Sequence, residues 1–249
     1  GPAKTIDTTP HEVTTRYSIP DFSDHAAILI DILRKYSPSD LKKLMKINDK
    51  LATLNFERIA SWKPDSSIGA ANHALMAFSG EVFNGLKARS LSEGDLLFAQ
   101  EHVRVLSGLY GVLRPLDLIM PYRLEMGTRL ENPRGKNLYD FWKEIIPATI
   151  ARLTEKTGGQ VLINIASYEY FSSIRPSAFP FRVVTPVFKE QDGDGFRNVT
   201  IYAKKARGLM LRFILQHRID DPEELKAFDL EGYYFNPDCS SENEWWFTR

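Results

Sequence analysis

The sequence contains one cysteine, Cys239, so it can form neither an internal disulfide nor a cysteine-based zinc site. It has no apolar run of about 18 residues, which excludes a membrane-spanning helix. A recognisable signal peptide is also missing. We therefore expect a cytoplasmic protein without a membrane partner.

Motifs of several common enzyme classes are missing too. None of the five histidines has a neighbour at metal-ligand spacing. The HExxH, Walker A, strand-linked GxGxxG and GxSxG patterns are absent. These absences disfavour zinc hydrolases, NTPases, Rossmann dehydrogenases and α/β-hydrolases, and we expect neither a metal site nor a cofactor.

The chain carries no net charge, because 32 basic and 32 acidic residues balance, and this argues mildly against a nucleic-acid binder. The distribution is nevertheless uneven. Segment 196–219 holds six basic residues and no acidic one, whereas segment 220–244 holds nine carboxylates and only Lys226 as a basic residue. The first segment therefore predicts either a basic surface or a set of cations that the second segment neutralises.

The chain is long enough for one domain covering residues 1–249, since 43% of its residues are hydrophobic. Apolar periodicity predicts helices over 21–37, 38–47, 48–62, 70–78, 93–106, 137–156 and from 204 onward. Pro147 is expected to kink or divide the helix that contains it. Strands are predicted over 161–166, 181–189 and 196–203, the last two joined by a DGDG turn, with two more short strands after residue 231. The mixture predicts an α+β or mixed α/β fold.

The stretch SGLYG, residues 107–111, reads as a tight turn. Its two glycines would let backbone N–H groups approach a DNA phosphate closely, as in a helix-hairpin-helix element. The spacing also fits the GxxG clamp of KH domains, and a helix C-cap glycine followed by an ordinary turn explains it as well. All three interpretations stay open from the residues alone. The phosphate-binding candidates here are Ser107, Gly108, Tyr110, Gly111 and Arg114.

The stretch YAKKARG, residues 202–208, places three cations in the predicted first turn of a helix. Cations there oppose the helix macrodipole by about 0.3–1 kcal/mol each. A helix start with free N–H groups and additional cations is a ready anion site, and a phosphate or carboxylate would relieve the repulsion. In the alternative interpretation the side chains extend into water or pair with the acidic segment. The candidates are Lys204, Lys205 and Arg207.

Other polar residues lie on separate loops, several of them beyond predicted strand ends, where sites of α/β folds gather. Together they offer lysine, arginine, carboxylate and hydroxyl groups, a mixture that suits phosphate-bearing ligands and acid/base chemistry. Each residue taken alone also has a structural interpretation. Glu169 is a candidate general base, and Arg123 a candidate anion clamp. The catalytic candidates are Lys4, Glu125, Ser167 and Glu169.

Seven stretches resemble, in chain order, the YaaA family of bacterial peroxide-resistance proteins: PAKT, FSGEVFNGL, LSGLYGVLRPLDLIMPYRLEMG, NLYDFW, INIASYEYF, YAKKARGLM and EGYYF. They span nearly the whole chain, and the block at 107–127 is highly specific. The resemblance implies a single compact α/β domain with a basic cleft and a helix-hairpin-helix element around the Gly108–Gly111 turn. It also implies a DNA-binding protein that limits damage from hydrogen peroxide and free iron, without a known reaction. Family members often have an acidic residue where Tyr168 stands.

Two functions follow as hypotheses. In the first, the chain binds double-stranded DNA through phosphate contacts, without reading sequence. In the second, it is an enzyme that acts on a nucleobase, a nucleotide or damaged DNA, with a small phosphorylated or nucleobase ligand in a polar cleft. A third interpretation is structural: Asp117 pairs with Arg114 or Arg123 and shapes the 107–127 loop.

Overall fold

A computed structural model describes residues 6–9, 13–64, 71–159 and 161–249. Its α-helices are α1 (Ser23–Leu33), α2 (Pro38–Met45), α3 (Asp49–Ser61), α4 (Ala74–Ala77), α5 (Glu81–Leu86), α6 (Glu93–His102), α7 (Leu138–Trp142), α8 (Ile145–Lys156), α9 (Tyr168–Phe171) and α10 (Thr200–His217). Its strands are β1 (Asn72–His73), β2 (Val105–Ser107), β3 (Gly111–Leu113), β4 (Leu118–Ile119), β5 (Val161–Ile163), β6 (Arg182–Asp192), β7 (Gly195–Arg197), β8 (Tyr234–Asn236) and β9 (Glu244–Thr248). Single turns of 3₁₀ helix cover Ala88–Ser90, Ser172–Ile174, Pro176–Ala178, Leu230–Gly232 and Pro237–Cys239, and a longer one covers Pro222–Ala227.

The main sheet is built around β6. This strand pairs in parallel with β5 and β9 and antiparallel with β7, while β8 pairs antiparallel with β9. β7 pairs with the last residues of β6, and α10 begins shortly after β7 ends. The first turns of α10 therefore lie near the carboxyl-terminal end of β6.

One face of this sheet packs against α10. Val184 and Phe188 of β6 are buried on that face, because alternate residues of a strand point the same way. They belong to the same buried cluster as Phe247 of β9 and Met210 of α10. A second and larger cluster combines α1 with the β2–β3 hairpin and α7, and it contains the fully buried Trp142.

Helices α5 and α10 cross with their backbones in contact, at two glycines. A Cβ atom at Gly208 would lie 1.8 Å from the carbonyl oxygen of Val82, and Gly85 makes a similarly close approach from the other helix. Arg212 reinforces the crossing, because its Nη1 donates to the carbonyl oxygen of Leu86 at 3.0 Å, at the carboxyl end of α5. The direction of α10 is thereby fixed.

The sequence predicts the fold class correctly: the structure is a mixed α/β fold in a single compact domain, 48% helix and 18% strand. The helices predicted over 21–37, 38–47 and 48–62 correspond to α1, α2 and α3. The strand predicted over 161–166 contains β5, and the DGDG turn joins β6 to β7. Ser92 caps α6 as expected, with its Oγ accepting from the backbone N–H of Asp95 at 3.1 Å.

Several predicted elements have different bounds in the structure. The helix predicted over 93–106 ends at His102, because the following residues pair as β2. The strand predicted over 196–203 ends at Arg197, and α10 begins at Thr200. The helix predicted over 137–156 divides into α7 and α8. Pro147 lies in the first turn of α8, where its missing N–H is not needed.

The helix predicted over 70–78 is shorter in the structure. Residues 72–73 form β1, and only Ala74–Ala77 are helical as α4. Residue 70 lies outside the described residues.

Candidate functional site

Two strands, not two helices, flank the Gly108–Gly111 turn. β2 and β3 pair antiparallel as a hairpin, in place of the helix-hairpin-helix geometry that the resemblance implies. Ser107 closes the turn from inside, since its Oγ accepts hydrogen bonds from the N–H groups of Leu109 at 3.2 Å and Tyr110 at 2.9 Å. These N–H groups therefore point at the protein's own hydroxyl.

The side chains around this turn form a buried hydrogen-bond network. Ser107 Oγ and the Tyr122 hydroxyl lie 2.6 Å apart, and Trp62 Nε1 donates to the Tyr110 hydroxyl at 2.9 Å. Burial raises the pKa of Tyr110 to about 12 and that of Tyr122 well above its ordinary value. Both phenols consequently stay protonated near neutral pH and serve the fold.

Other parts of the protein pack closely against the two glycines of the turn, where a side chain would collide with them. A Cβ at Gly108 would lie 2.3 Å from the carbonyl oxygen of Leu124, and one at Gly111 would lie 2.7 Å from the ring of Trp142. Gly111 also has a φ of +69°, a conformation that L side chains rarely adopt. Trp142 Nε1 donates to the Gly108 carbonyl at 2.9 Å. The close approach that we assigned to a phosphate is thus made by this indole and the 124–125 backbone.

Arg114 is committed to carboxylates and a carbonyl. Its Nε donates to Asp117 Oδ1 at 3.0 Å, and its Nη2 contacts Asp21 Oδ1 at 3.0 Å and Ile19 O at 2.6 Å. Burial raises the pKa of Asp117, whereas hydrogen bonds from Ser18 and Arg114 oppose that change. The structural ion pair between Asp117 and Arg114 is confirmed.

The basic segment 196–219 is neutralised only in part. Lys205 pairs with Glu231, a residue of the acidic segment, at a distance of 2.6 Å. The remaining paired cations are Arg197 with Asp192 at 3.9 Å and Arg218 with Asp95 at 3.0 Å, while Arg212 donates to carbonyl oxygens at the end of α5. The acidic segment therefore neutralises Lys205, whereas Arg197 and Arg218 have carboxylate partners outside it.

Two cations of α10 have no carboxylate partner in the part of the chain that the structure describes. Lys204 makes no hydrogen bond or ion pair there, and Arg207 donates only to the carbonyl oxygen of Ala203 at 3.4 Å. Burial lowers the pKa of the Arg207 guanidinium, a sign that its charge is partly desolvated. Residues three apart share one helix face, so the two charges lie side by side.

Lys204 and Arg207 lie farther from the start of α10 than the sequence predicted. Because α10 begins at Thr200, Lys204 and Arg207 lie in its second turn, beyond the strongest part of the macrodipole. The first turn has no acidic residue and no side-chain cap at Val199. Repulsion by the dipole is thus a minor effect, and the missing counter-charge is the stronger argument for an anion.

The polar loops bring some of the catalytic candidates together. Glu169 Oε1 accepts from the backbone N–H of Gly127 at 2.8 Å, which places α9 against the loop that carries Arg123 and Glu125. Ser167 precedes α9, and its Oγ is buried without a hydrogen-bond partner among the residues described. Lys4 lies outside the described residues, so its placement beside them stays a prediction.

Two further residues belong to this group and were not predicted from the sequence. Tyr139 donates its hydroxyl to the carbonyl oxygen of Glu169 at 2.8 Å, and Gly127 supplies the N–H that orients the carboxylate. Burial, and then the charge of Glu169, raise the pKa of Tyr139. A tyrosine inside a helical pattern carries no signal of such a role. Within the described residues, no hydrogen bond or ion pair joins Glu169 to Arg207.

Within the described ranges, no helix is long and apolar enough to cross a bilayer. No cluster of three or more histidine, cysteine or acidic side chains is arranged there to hold a metal ion.

Comparison with known proteins places the chain in a family. A family model described as "Peroxide stress protein YaaA" matches residues 1–239. The chain is 50% identical to a UPF0246 protein of Azoarcus sp. (strain BH72) over 252 residues, which covers 100% of this chain and 97% of that protein. It is 48% identical to a UPF0246 protein of Ralstonia pickettii (strain 12J) over 248 residues, covering 100% and 96%. The chain therefore belongs to the family of the peroxide stress protein YaaA.

Proposed function

We propose that the chain is a DNA-binding protein of the peroxide stress response, and that it holds duplex phosphates at the start of α10. The observation that carries this proposal is the pair Lys204 and Arg207, which lie on one helix face without a carboxylate partner among the described residues. Lys205, between them in sequence, is neutralised by Glu231 and stays outside the proposed contact.

The guanidinium of Arg207 is partly desolvated by burial. A partly buried guanidinium loses hydration, and a bound anion restores the missing interaction through charge-assisted hydrogen bonds. Phosphate oxygens fit because arginine presents its donors as a planar fork. Contacts of this kind position a duplex without reading its bases. The structural roles of Ser107, Gly108, Tyr110, Gly111 and Arg114 remove these residues from the proposed interface.

Replacing Lys204 and Arg207 by glutamine should weaken binding to duplexes of unrelated sequence to the same extent. We expect the affinity of Lys204→Gln/Arg207→Gln to fall by about tenfold or more, because a hydrogen bond to a charged group contributes about 1.5–3 kcal/mol. The slope of log affinity against log salt should become shallower by about one for each phosphate that the variant no longer binds. Fluorescence anisotropy of labelled duplexes over a salt series measures both quantities.

The neighbouring Lys205→Gln provides the matched control, since its charge is already paired with Glu231. It should bind duplex nearly as the unchanged protein does. The proposal fails if binding is insensitive to salt, or if the double variant binds like this control. Thermal unfolding of each variant separates a weakened interface from a destabilised fold.

The polar group at α9 supports a second candidate function, an enzyme that acts on a nucleobase, a nucleotide or damaged DNA. The supporting observation is the buried Ser167 Oγ, which lacks a partner among the described residues, next to the oriented carboxylate of Glu169. Glu169 would move a proton, with Glu125 nearby and Lys4 as the predicted nucleophile.

Mass spectrometry of oligonucleotides with oxidised bases, incubated with the protein, tests the second candidate. We expect a released base or cleaved strand that disappears in Glu169→Gln and Ser167→Ala. The absence of any product, or the same product from both variants, contradicts an enzymatic role of this group. Duplex binding should persist in these variants, because the proposed duplex contact uses Lys204 and Arg207 and neither Glu169 nor Ser167.

A further inference from the structure

Aromatic side chains from three elements line an open groove of about 610 Å³ at one end of the main sheet. Phe196 of β7, Tyr202 of α10 and Tyr234 of β8 are 37%, 47% and 62% exposed, respectively. Single exposed rings are common on protein surfaces, but rings that converge on one concavity mark a binding surface. Phe196 also contacts Trp246 edge to face, at 6.3 Å between ring centroids, and the exposed part of each ring is available to planar groups.

A stacked guanidinium forms one wall of this groove. Arg249 lies 5.2 Å from the ring centroid of Tyr202 and 4.5 Å from that of Tyr233. Its Nε donates to Glu190 at 2.9 Å, and the Tyr233 hydroxyl donates to the same carboxylate. The plane of the guanidinium is therefore fixed, and the carboxylate of Glu190 is already paired.

The carboxylates of Glu190 and Glu231 are paired with Arg249, at 2.9 Å and 3.9 Å, and a cation beside the groove then favours a polyanion as the occupant. Lys189 lies over the ring of Trp246 at 5.0 Å, and in the described part of the chain it has no carboxylate partner. It is paired in the sheet with Thr248, which lines the groove. Arg197, next to Phe196 in β7, has one carboxylate contact among the described residues, an exposed one of 3.9 Å to Asp192. Cations next to the lining residues and rings inside the groove match the phosphates and bases of one strand.

We propose that this groove binds single-stranded nucleic acid by stacking unpaired bases on Tyr202 and Tyr234, with Lys189 at the phosphates. Bases stack on aromatic faces and on guanidinium planes without regard to sequence. The inference rests on the proposed function for the class of its partner, but it uses a different surface. It makes the junction between duplex and unpaired strand the preferred substrate.

Two oligomers with equal numbers of phosphates test the groove: an oligothymidine and its abasic counterpart. The unchanged protein should bind the oligothymidine more tightly, by about tenfold for each stacked base. In Tyr202→Ala/Tyr234→Ala this preference should disappear, so that both oligomers bind equally weakly. Tyr202→Trp/Tyr234→Phe keeps the ring faces and should restore the preference. Fluorescence anisotropy with labelled oligomers provides the affinities.

Tyr17→Ala is the matched control, because it removes a tyrosine that is 55% exposed and does not line the groove. Equal binding of the two oligomers by the unchanged protein overturns the proposal. So does self-association in sedimentation that the double alanine variant abolishes, since a second copy would then fill the groove. If the unchanged protein prefers the oligothymidine but does not bind duplex, the α10 proposal is contradicted and the groove proposal is supported.

Discussion

Asp117→Ala is expected to lower the free energy of unfolding by about 3 kcal/mol, the low end for breaking a buried ion pair. Asp117 is 1% exposed and accepts hydrogen bonds from Ser18 Oγ at 2.6 Å and from the backbone N–H of Arg114 at 2.8 Å. Its removal leaves both donors and part of the guanidinium charge without a partner. The effect stays at the low end because Arg114 keeps Asp21.

Asp21→Ala is the control for this prediction, since both carboxylates contact the same arginine. The side chain of Asp21 is 54% exposed, and an exposed ion pair contributes about 0–1 kcal/mol. Urea unfolding of the two variants should separate them by about 2 kcal/mol or more. Equal losses of stability would show that the buried network around Asp117 does not hold the 107–127 loop.

Gly111→Ala is expected to destabilise the fold by about 3 kcal/mol, through two effects that add. The left-handed backbone disfavours an alanine by about 1–2 kcal/mol, and forcing a methyl group into a packed site costs about 1–3 kcal/mol. The second effect arises because the new Cβ would lie 2.7 Å from the ring of Trp142, which is fully buried.

Gly158→Ala isolates the backbone effect. Its φ is also +69°, but among the described residues no atom outside its two chain neighbours lies within 4 Å of the position that its Cβ would occupy. We expect this variant to lose only about 1–2 kcal/mol in urea unfolding. If Gly111→Ala loses no more stability than Gly158→Ala and yet binds duplex more weakly, the phosphate-facing interpretation of the turn is right and the packing interpretation is wrong.

Local chemistry made much of the fold predictable. Ser92 with Asp95 is a capping box that can be recognised from sequence alone, and DGDG between two strand-like segments is a strong local signal for a hairpin. The apolar spacing of α1 to α3 needs no distant partner to be recognised. These features depend on residues within a few positions of one another.

The wrong predictions depend on distant residues. Gly108 and Gly111 contact Trp142, and Asp117 bonds to Ser18, across separations that no local pattern records. The residues Thr200 to Ala203 include a β-branched pair and a tyrosine, which favour a strand, yet they form the first turn of α10.

The ion pairs of the candidate site also depend on distant residues, so they could not be predicted from the sequence. Lys204, Lys205 and Arg207 look equivalent in sequence, but only Lys205 meets Glu231. Which cations stay available depends on the position of that carboxylate in the folded chain. Family resemblance predicted the peroxide stress family correctly, and DNA binding remains a proposal that the α10 cations support.

The parallel pairing of β6 with β9 has a consequence for biosynthesis. Thr185 is paired with Glu244, so β6 emerges from the ribosome long before its neighbour exists. Until then one long edge of β6 offers unpaired N–H and C=O groups to any other extended chain. We expect the nascent protein to depend on chaperones during this interval, and its refolding to slow with increasing concentration as intermolecular pairing competes.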